Sequence, residues 1–524
     1  MIYKKFAVVL LATAVGACAR IETAPQLPTP ESTDTGKSAP HAATAESVAS
    51  PEVTEAVATK DLWQRLTRGF SLDTQTHQPR VQDYVRYYTK NKSYMKRVSE
   101  RAHRYIYHVA EELEAAGVPT ELALLPIVES GYDPFAYSHA QAAGMWQFTP
   151  ATGRAFGLDQ NWWYDGRRDV ADSTRAAAEY FLYLAKRFDN DWPLVLAAYN
   201  GGEGTVRRAI RRNKAAGKPT DFWHLKLPRE TQRYVPQLLA LAEVVGKREQ
   251  YNTPLFDIPN EPYFAKVSVG SQIDLAQAAD LADIEIEELS LLNPGYNRWA
   301  TDPNGNHQLL LPIDKKSAFE QKLASLPKEQ RVSWQRHTVK SGDSLINIAK
   351  KYQTTVASIR QTNNLRGNMI RAGSTLLIPV AAAPAGQYAY SMDERLKRKQ
   401  SRSARRGTEK VTYTVKPGDT FWDISRSMDV SVRQLASWNS MAPGDTLRPG
   451  QRLVAYPKSN APKTGRTTRK LSYKVRSGDS LARIAQKFSL KINDIVKWNR
   501  INKNKYLQPG QKLTLYVDVT RLQG

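Results

Sequence analysis

The chain has 524 residues, with 75 Lys and Arg against 51 Asp and Glu, for a formal net charge of +24. That length predicts about three to five folding units. The 41% apolar content excludes wholesale disorder, and a single cysteine excludes a disulfide scaffold. The eight histidines and lone cysteine show none of the usual ligand spacings, so neither a metal nor another cofactor is expected. The charge is uneven: residues 331–524 hold 37 basic and 11 acidic side chains, residues 1–330 hold 38 and 40. A basic chain raises nucleic acid as a partner; its N-terminus argues otherwise.

Residues 1–17 read as an export signal: Lys4-Lys5, an apolar run from Phe6 to Val15, then small residues. A run of ten residues is too short to span a bilayer. Val15-Gly16-Ala17-Cys18 resembles a bacterial lipobox. The resemblance implies a lipid on Cys18 and, with Ala19 rather than Asp next, an outer-membrane lipoprotein facing the periplasm. Such a chain would rarely meet nucleic acid, and none is expected as a partner. Residues 18–60, rich in Ala, Pro, Ser, Thr and Glu, cannot bury a core and read as a lipidated disordered tether.

Residues 61–250 read as helix after helix. Tyr84–Ala116 has apolar and aromatic residues at helical spacing, and Gly117-Val118-Pro119-Thr120 marks a stop and a restart. A helix is expected over Glu121–Ser130, with Leu122, Leu125 and Glu129 on one face. A carboxyl desolvated in this way can hold a proton for general-acid work near neutrality. Most helix-end glutamates are solvated, so spacing alone leaves Glu129 open.

Its surroundings narrow the choice. Pro-Ile-Val-Glu129-Ser130-Gly-Tyr-Asp, Ala143-Gly-Met-Trp146-Gln147-Phe, Ala198-Tyr199-Asn200-Gly-Gly and Glu230-Thr-Gln-Arg-Tyr234-Val occur in that order. Together they resemble the lytic transglycosylases of bacterial cell walls. The resemblance implies an α+β multidomain chain with a helical goose-type lysozyme-like catalytic domain. Its cleft would take peptidoglycan glycan strands and cut the MurNAc-β-1,4-GlcNAc bond without water, leaving 1,6-anhydro-MurNAc ends. Glu129 would be acid and then base. Ser130, Gln147, Tyr199 and Asn200 would line the cleft, with Tyr234 and Trp146 as further substrate contacts. Ordinary glycosidases use two carboxyls; Asp133, Asp165, Asp169 and Glu203 are present, so a single-carboxyl mechanism is implied by the resemblance and not by the residues. Many relatives have Gly-Leu-Met-Gln where this chain has Gly144-Met145-Trp146-Gln147. Trp146 could stack on a sugar or fill the core, and Trp162-Trp163-Tyr164-Asp165 poses the same choice. A non-catalytic peptidoglycan-binding scaffold and a true lysozyme-type hydrolase remain as alternatives.

The C-terminal half repeats. His337-Thr-Val-Lys-Ser-Gly-Asp-Ser-Leu345, Tyr413-Thr-Val-Lys-Pro-Gly-Asp-Thr-Phe421 and Tyr473-Lys-Val-Arg-Ser-Gly-Asp-Ser-Leu481 are each followed, eighteen residues on, by Asn363, Asn439 and Asn499. Each unit reads as strand, Gly-Asp turn, two helices, Gly turn and strand. These units resemble the LysM module, which binds N-acetylglucosamine-containing glycans. Carried over, the sugar would lie at Gly342-Asp343-Ser344-Leu345, Gly418-Asp419-Thr420-Phe421 and Gly478-Asp479-Ser480-Leu481. Alternatively these side chains only cap helices while backbone groups hold the sugar. Gly-Asp-Ser-Leu also occurs in a family of serine esterases, but its repetition in register, with Thr in the middle copy, favours a turn. The modules are placed at 336–380, 411–457 and 471–517, with basic disordered linkers at 381–410 and 458–470. A degenerate LysM-like spacer is placed at 260–315, where Leu275 and Asn293 keep the spacing but Gln272-Ile273-Asp274 replaces Gly-Asp-Ser. Oligomeric state is left open.

Overall fold

Proline, glycine and asparagine divide the helical half into shorter pieces than its periodicity predicts. The computed structural model describes residues 59–404, 408–458, 468–488, 490–499, 501–502 and 506–518. Cys18 and the tether lie outside them, apart from residues 59–60. The chain forms two units, one of residues up to 132 with 178–263, the other of 133–177 with 264 onward.

In the first unit the 84–116 stretch is three helices, Pro79–Lys90, Lys92–Ala102 and Ile106–Ala115. Gly117, at φ +67°, follows the third. The helix expected over 121–130 is a 3-10 turn, Thr120–Leu124, followed by a short α-helix, Leu125–Glu129. Pro126 has no N–H to give the Leu122 carbonyl, which divides the run. Leu122, Leu124 and Leu125 are nevertheless fully buried, so the apolar face under Glu129 is as expected. The long helix Arg229–Gly246 buries Val235, Leu238, Leu239, Leu241 and Val244 and packs against Pro79–Lys90 and Trp192–Gly201.

In the second unit the 159–167 loop is joined to the spacer. Asp165 N–H donates to the Gly295 carbonyl at 2.8 Å and Asn297 N–H to the Trp163 carbonyl at 2.7 Å. Trp163 meets Trp162 edge-on at 4.6 Å and Trp299 at 5.7 Å, inside a core with Leu275, Leu309 and Phe319. Packing, not a sugar platform, accounts for Trp163.

Four antiparallel strand pairs follow: 264–268 with 308–312, 333–338 with 375–380, 411–414 with 452–455, and 468–474 with 512–518. Two helices lie between the strands of each pair, so the spacer and the three modules are all βααβ. One asparagine joins the same parts in all four. Asn439 Nδ2 donates to the Leu435 and Val454 carbonyls at 2.7 and 2.8 Å, and its Oδ1 accepts from Val454 N–H at 2.8 Å. Asn293, Asn363 and Asn499 repeat the three bonds. The eighteen-residue spacing is thus a clip between the second helix and the last strand. Asn439→Ala leaves two carbonyls and an amide without their partner, and we expect a loss of about 2–4 kcal/mol in that module, read as faster hydrogen exchange of the Val454 amide.

The linker over 381–410 is not wholly disordered. Residues Met392–Gln400 form a helix capped by Ser391, and Asp393 pairs with Arg298 at 2.6 Å. Tyr388 is buried and its hydroxyl donates to Asp274 at 2.8 Å. Apolar and aromatic anchors at 388–390, overlooked among the charges, hold this segment down. Of the second linker, residues 459–467 lie outside the described residues, and 468–470 already belong to the last module's first strand. No helix among the described residues is long and apolar enough to cross a membrane.

Candidate active site

Glu129 is the last residue of its helix, half-buried, with Leu122 and Leu125 behind it. Burial raises its pKa to about 7, and Glu230 adds to the rise, while a hydrogen bond from Tyr234 opposes it. The Tyr234 hydroxyl donates to Glu129 Oε1. Tyr234 is 4% exposed, and burial together with the Glu129 charge holds its phenol far above the ordinary tyrosine value. It therefore stays a proton donor throughout the working range. Sequence reasoning placed Tyr234 among the further substrate contacts; the structure puts it on the carboxyl itself.

Tyr199 is raised in the same way, by burial first and then by Glu129. Its ring stacks on Phe181 at 4.8 Å and meets Tyr180 at 5.3 Å, which fixes its direction. Asn200, next along the helix Trp192–Gly201, accepts a hydrogen bond from Thr231 Oγ1 at 2.8 Å. Ser130 turns its hydroxyl back to the Pro126 carbonyl at 3.1 Å. The first unit thus brings together Glu129, Ser130, Tyr199, Asn200 and Tyr234. Sequence reasoning missed Thr231, Phe181 and Tyr180. Thr231 could have been found, since it precedes Tyr234 by three residues and so shares its helical face.

Among the other carboxyls, Glu203 is engaged by Arg187 at 2.9 Å and Arg207 at 3.3 Å. Burial pushes Asp165 up, but Arg168 and Arg167 outweigh it and hold it below the usual range. Asp169 is pushed up to about 6 by burial and by Asp172. Asp133 accepts the Phe135 N–H at 2.9 Å. Among the described residues no group of three or more His, Cys, Asp or Glu is placed to hold a metal ion.

Gln147 and Trp146 belong to the second unit. Gln147 sits at φ +53° and its Nε2 donates to the Gly144 carbonyl at 2.8 Å. Trp146 is fully buried, and its Nε1 donates to Thr174 Oγ1 at 3.1 Å. A ring with no exposed face cannot stack on a sugar, so Trp146 leaves the set of substrate contacts and becomes a core anchor.

In the modules the turn residues divide their tasks. Gly342, Gly418 and Gly478 have φ of +88°, +86° and +86°, which favours glycine. Asp343 Oδ2 accepts from Lys340 N–H at 2.8 Å and from His337 at 3.1 Å; Asp419 and Asp479 bond Lys416 and Arg476 N–H and the hydroxyls of Tyr413 and Tyr473. The aspartate thus latches the turn onto the first strand. Ser344, Thr420 and Ser480 cap the helices by accepting from Asn347, Asp423 and Arg483 N–H. Leu345, Phe421 and Leu481 are core residues, 2%, 5% and 8% exposed, which corrects their assignment as sugar contacts. Gly342, Gly418 and Gly478 are exposed, as are the capping Thr420 and Ser480, while Ser344 and the three aspartates are half-buried.

Comparison with known proteins gives the same order of parts. The chain matches the Transglycosylase SLT domain over residues 107–222, the Lytic transglycosylase MltD, LysM-like domain over 263–328, and the LysM domain over 337–379, 413–455 and 473–515. The membrane-bound lytic murein transglycosylase D of Escherichia coli is 36% identical over 438 residues, covering 84% of this chain and 82% of that protein. An autolysin of Enterococcus faecalis is 32% identical over 187 residues, covering 34% of this chain and 24% of that protein. Among solved structures, an inactive mutant of the lytic transglycosylase Slt from Pseudomonas aeruginosa matches at 24% identity over 27% of this chain and 24% of that chain, with a TM-score of 0.23. On the first of these relatives, the chain belongs to the membrane-bound lytic murein transglycosylase D family.

Proposed function

We propose that this chain is a peptidoglycan lytic transglycosylase in which Glu129 is the single acid and base. Protonated Glu129 gives its proton to the glycosidic oxygen as the bond from C1 of the muramoyl residue breaks. The carboxylate so formed takes the proton of the C6 hydroxyl of that residue, whose oxygen closes onto C1. No water is consumed, the acid is regenerated, and the products are a 1,6-anhydromuramoyl end and a free C4 hydroxyl. One observation carries this reading: a half-buried carboxyl, its pKa raised to about 7, hydrogen-bonded by a tyrosine that stays protonated. Such a group is poised to lose and regain one proton near neutrality. Tyr234 aims the carboxyl, Tyr199 supports the developing positive charge, and Ser130 and Asn200 hold the sugar's N-acetyl and hydroxyl groups.

Mass spectrometry of intact sacculi digested in ¹⁸O-labelled water tests the proposal. Anhydro ends without label are expected; labelled reducing ends would make the enzyme a hydrolase, and no cleavage would make it a scaffold. The Tyr234 bond adds a second prediction. Because its donation lowers the Glu129 pKa, Tyr234→Phe should move the alkaline limb of kcat/KM upward by about one pH unit.

The modules are proposed to hold glycan strands, and Cys18 to carry lipid that fixes the chain to the outer membrane, facing the periplasm. Several weak sites on one chain raise the effective concentration of the enzyme at the polymer. The spacer is proposed to lack glycan affinity, because Asp274, at the position of the capping Ser344, accepts from Tyr388 and Ala382 of its own chain. Strong murein binding by a chain whose other three turns are disabled would overturn this.

A further inference from the structure

Thr231 lies in the first turn of the helix Arg229–Gly246, 1% exposed, with its hydroxyl on Asn200 Oδ1 at 2.8 Å. Two features make that contact specific. Gly201 has no side chain, and a Cβ there would stand 2.7 Å from Thr231 Oγ1, so the threonine fits only over a glycine. The carbonyl four residues back, which a helical threonine commonly uses, already accepts Gln232 Nε2 at 2.8 Å. The Thr231 hydroxyl donates to Asn200 Oδ1 instead.

An asparagine amide offers an oxygen on one side and an NH₂ on the other, and unsupported it can present either. We propose that Thr231 is a positioning residue that fixes the Asn200 amide with its NH₂ toward the substrate. Asn200 then donates to an oxygen, which suits an N-acetyl carbonyl or a sugar hydroxyl and rejects a group that can only donate. This rests on the reading of Asn200 as a substrate contact. One helical face consequently sets two groups: Tyr234 aims the acid, and Thr231, three residues earlier, aims the amide.

The test is steady-state kinetics on peptidoglycan strands with the full chain, each variant checked by thermal unfolding. Thr231→Val removes the hydroxyl at constant shape and should lower kcat/KM about tenfold, mainly through KM. Its alkaline pH limb should not move, because Glu129 is untouched. Thr231→Ser, which restores the hydroxyl, should stay within about twofold of wild type. The double variant with Asn200→Ala should be no worse than Asn200→Ala alone. A Ser variant as impaired as Val, a double variant that multiplies the two losses, or a displaced pH limb would overturn the positioning role. Wild-type kinetics for Asn200→Ala would instead overturn the assignment of Asn200 itself. An impaired Asn200→Ala beside an unaffected Thr231→Val overturns the inference and leaves that assignment standing.

Discussion

Glu129→Gln should lower turnover by about 10²–10⁴-fold, because the leaving oxygen loses its proton source, while substrate affinity changes little. In the wild type the active form is the protonated acid, so kcat/KM should be full below pH 7 and fall as pH rises through the value of about 7. The same carboxyl has the opposite sign for stability. It titrates from 4.5 in the unfolded chain to about 7 in the fold, so between those values the fold binds more protons than the unfolded chain. Stability therefore declines as pH rises through that window. A glutamine amide cannot ionise, and the Glu129→Gln variant should be more stable than wild type above pH 7, by at most about 3 kcal/mol. Paired melting curves at pH 5 and pH 8 check this: the gain belongs to pH 8. A variant less stable at both would show that the carboxyl is not strained in the fold.

The largest structural effect is expected from Gly144→Ala. Gly144 has φ of +82°, and a Cβ there would lie 1.9 Å from the Arg167 carbonyl oxygen. No rotamer relieves a contact between a Cβ and main chain. Arg167 cannot easily retreat, because its guanidinium is bonded to Asp165 at 2.8 and 2.9 Å and to the Gln141 carbonyl at 2.6 Å. We expect a loss of at least about 4 kcal/mol, with the 133–177 segment failing to close. Activity should fall with it, although Gly144 contacts no reacting atom. Hydrogen exchange should show the amides of residues 143, 144 and 147, bonded to Phe148, Ala136 and residue 144, losing protection together; an unchanged exchange pattern would refute the argument.

Much of the site could be read from the sequence, for a physical reason. The face formed by Leu122, Leu125 and Glu129 follows from helical spacing and survives even though Pro126 divides the helix. The apolar face was thus legible before the fold, whereas the role of Glu129 came only from the motifs around it. Tyr234 was legible only as a neighbour in a motif, since its bond to Glu129 spans 105 residues. Trp146 was ambiguous because an aromatic ring suits a sugar and a core equally, and only its zero exposure decides. The 381–410 segment was misread because Lys and Arg dominate its composition, while Tyr388 and Tyr390, which anchor it, are few. The module turns were legible as turns, but Asp latching the strand and Ser capping the helix cannot be distinguished from adjacent letters.

The asparagine clip has a consequence for how these modules can change. It holds helix and strand together without touching the Gly-Asp turn, and the spacer keeps Asn293 although that turn has become Gln272-Ile273-Asp274. The tie between second helix and last strand is therefore written in a residue apart from the turn. Turn residues can be exchanged, as they are in the spacer, while this tie and the βααβ order are kept.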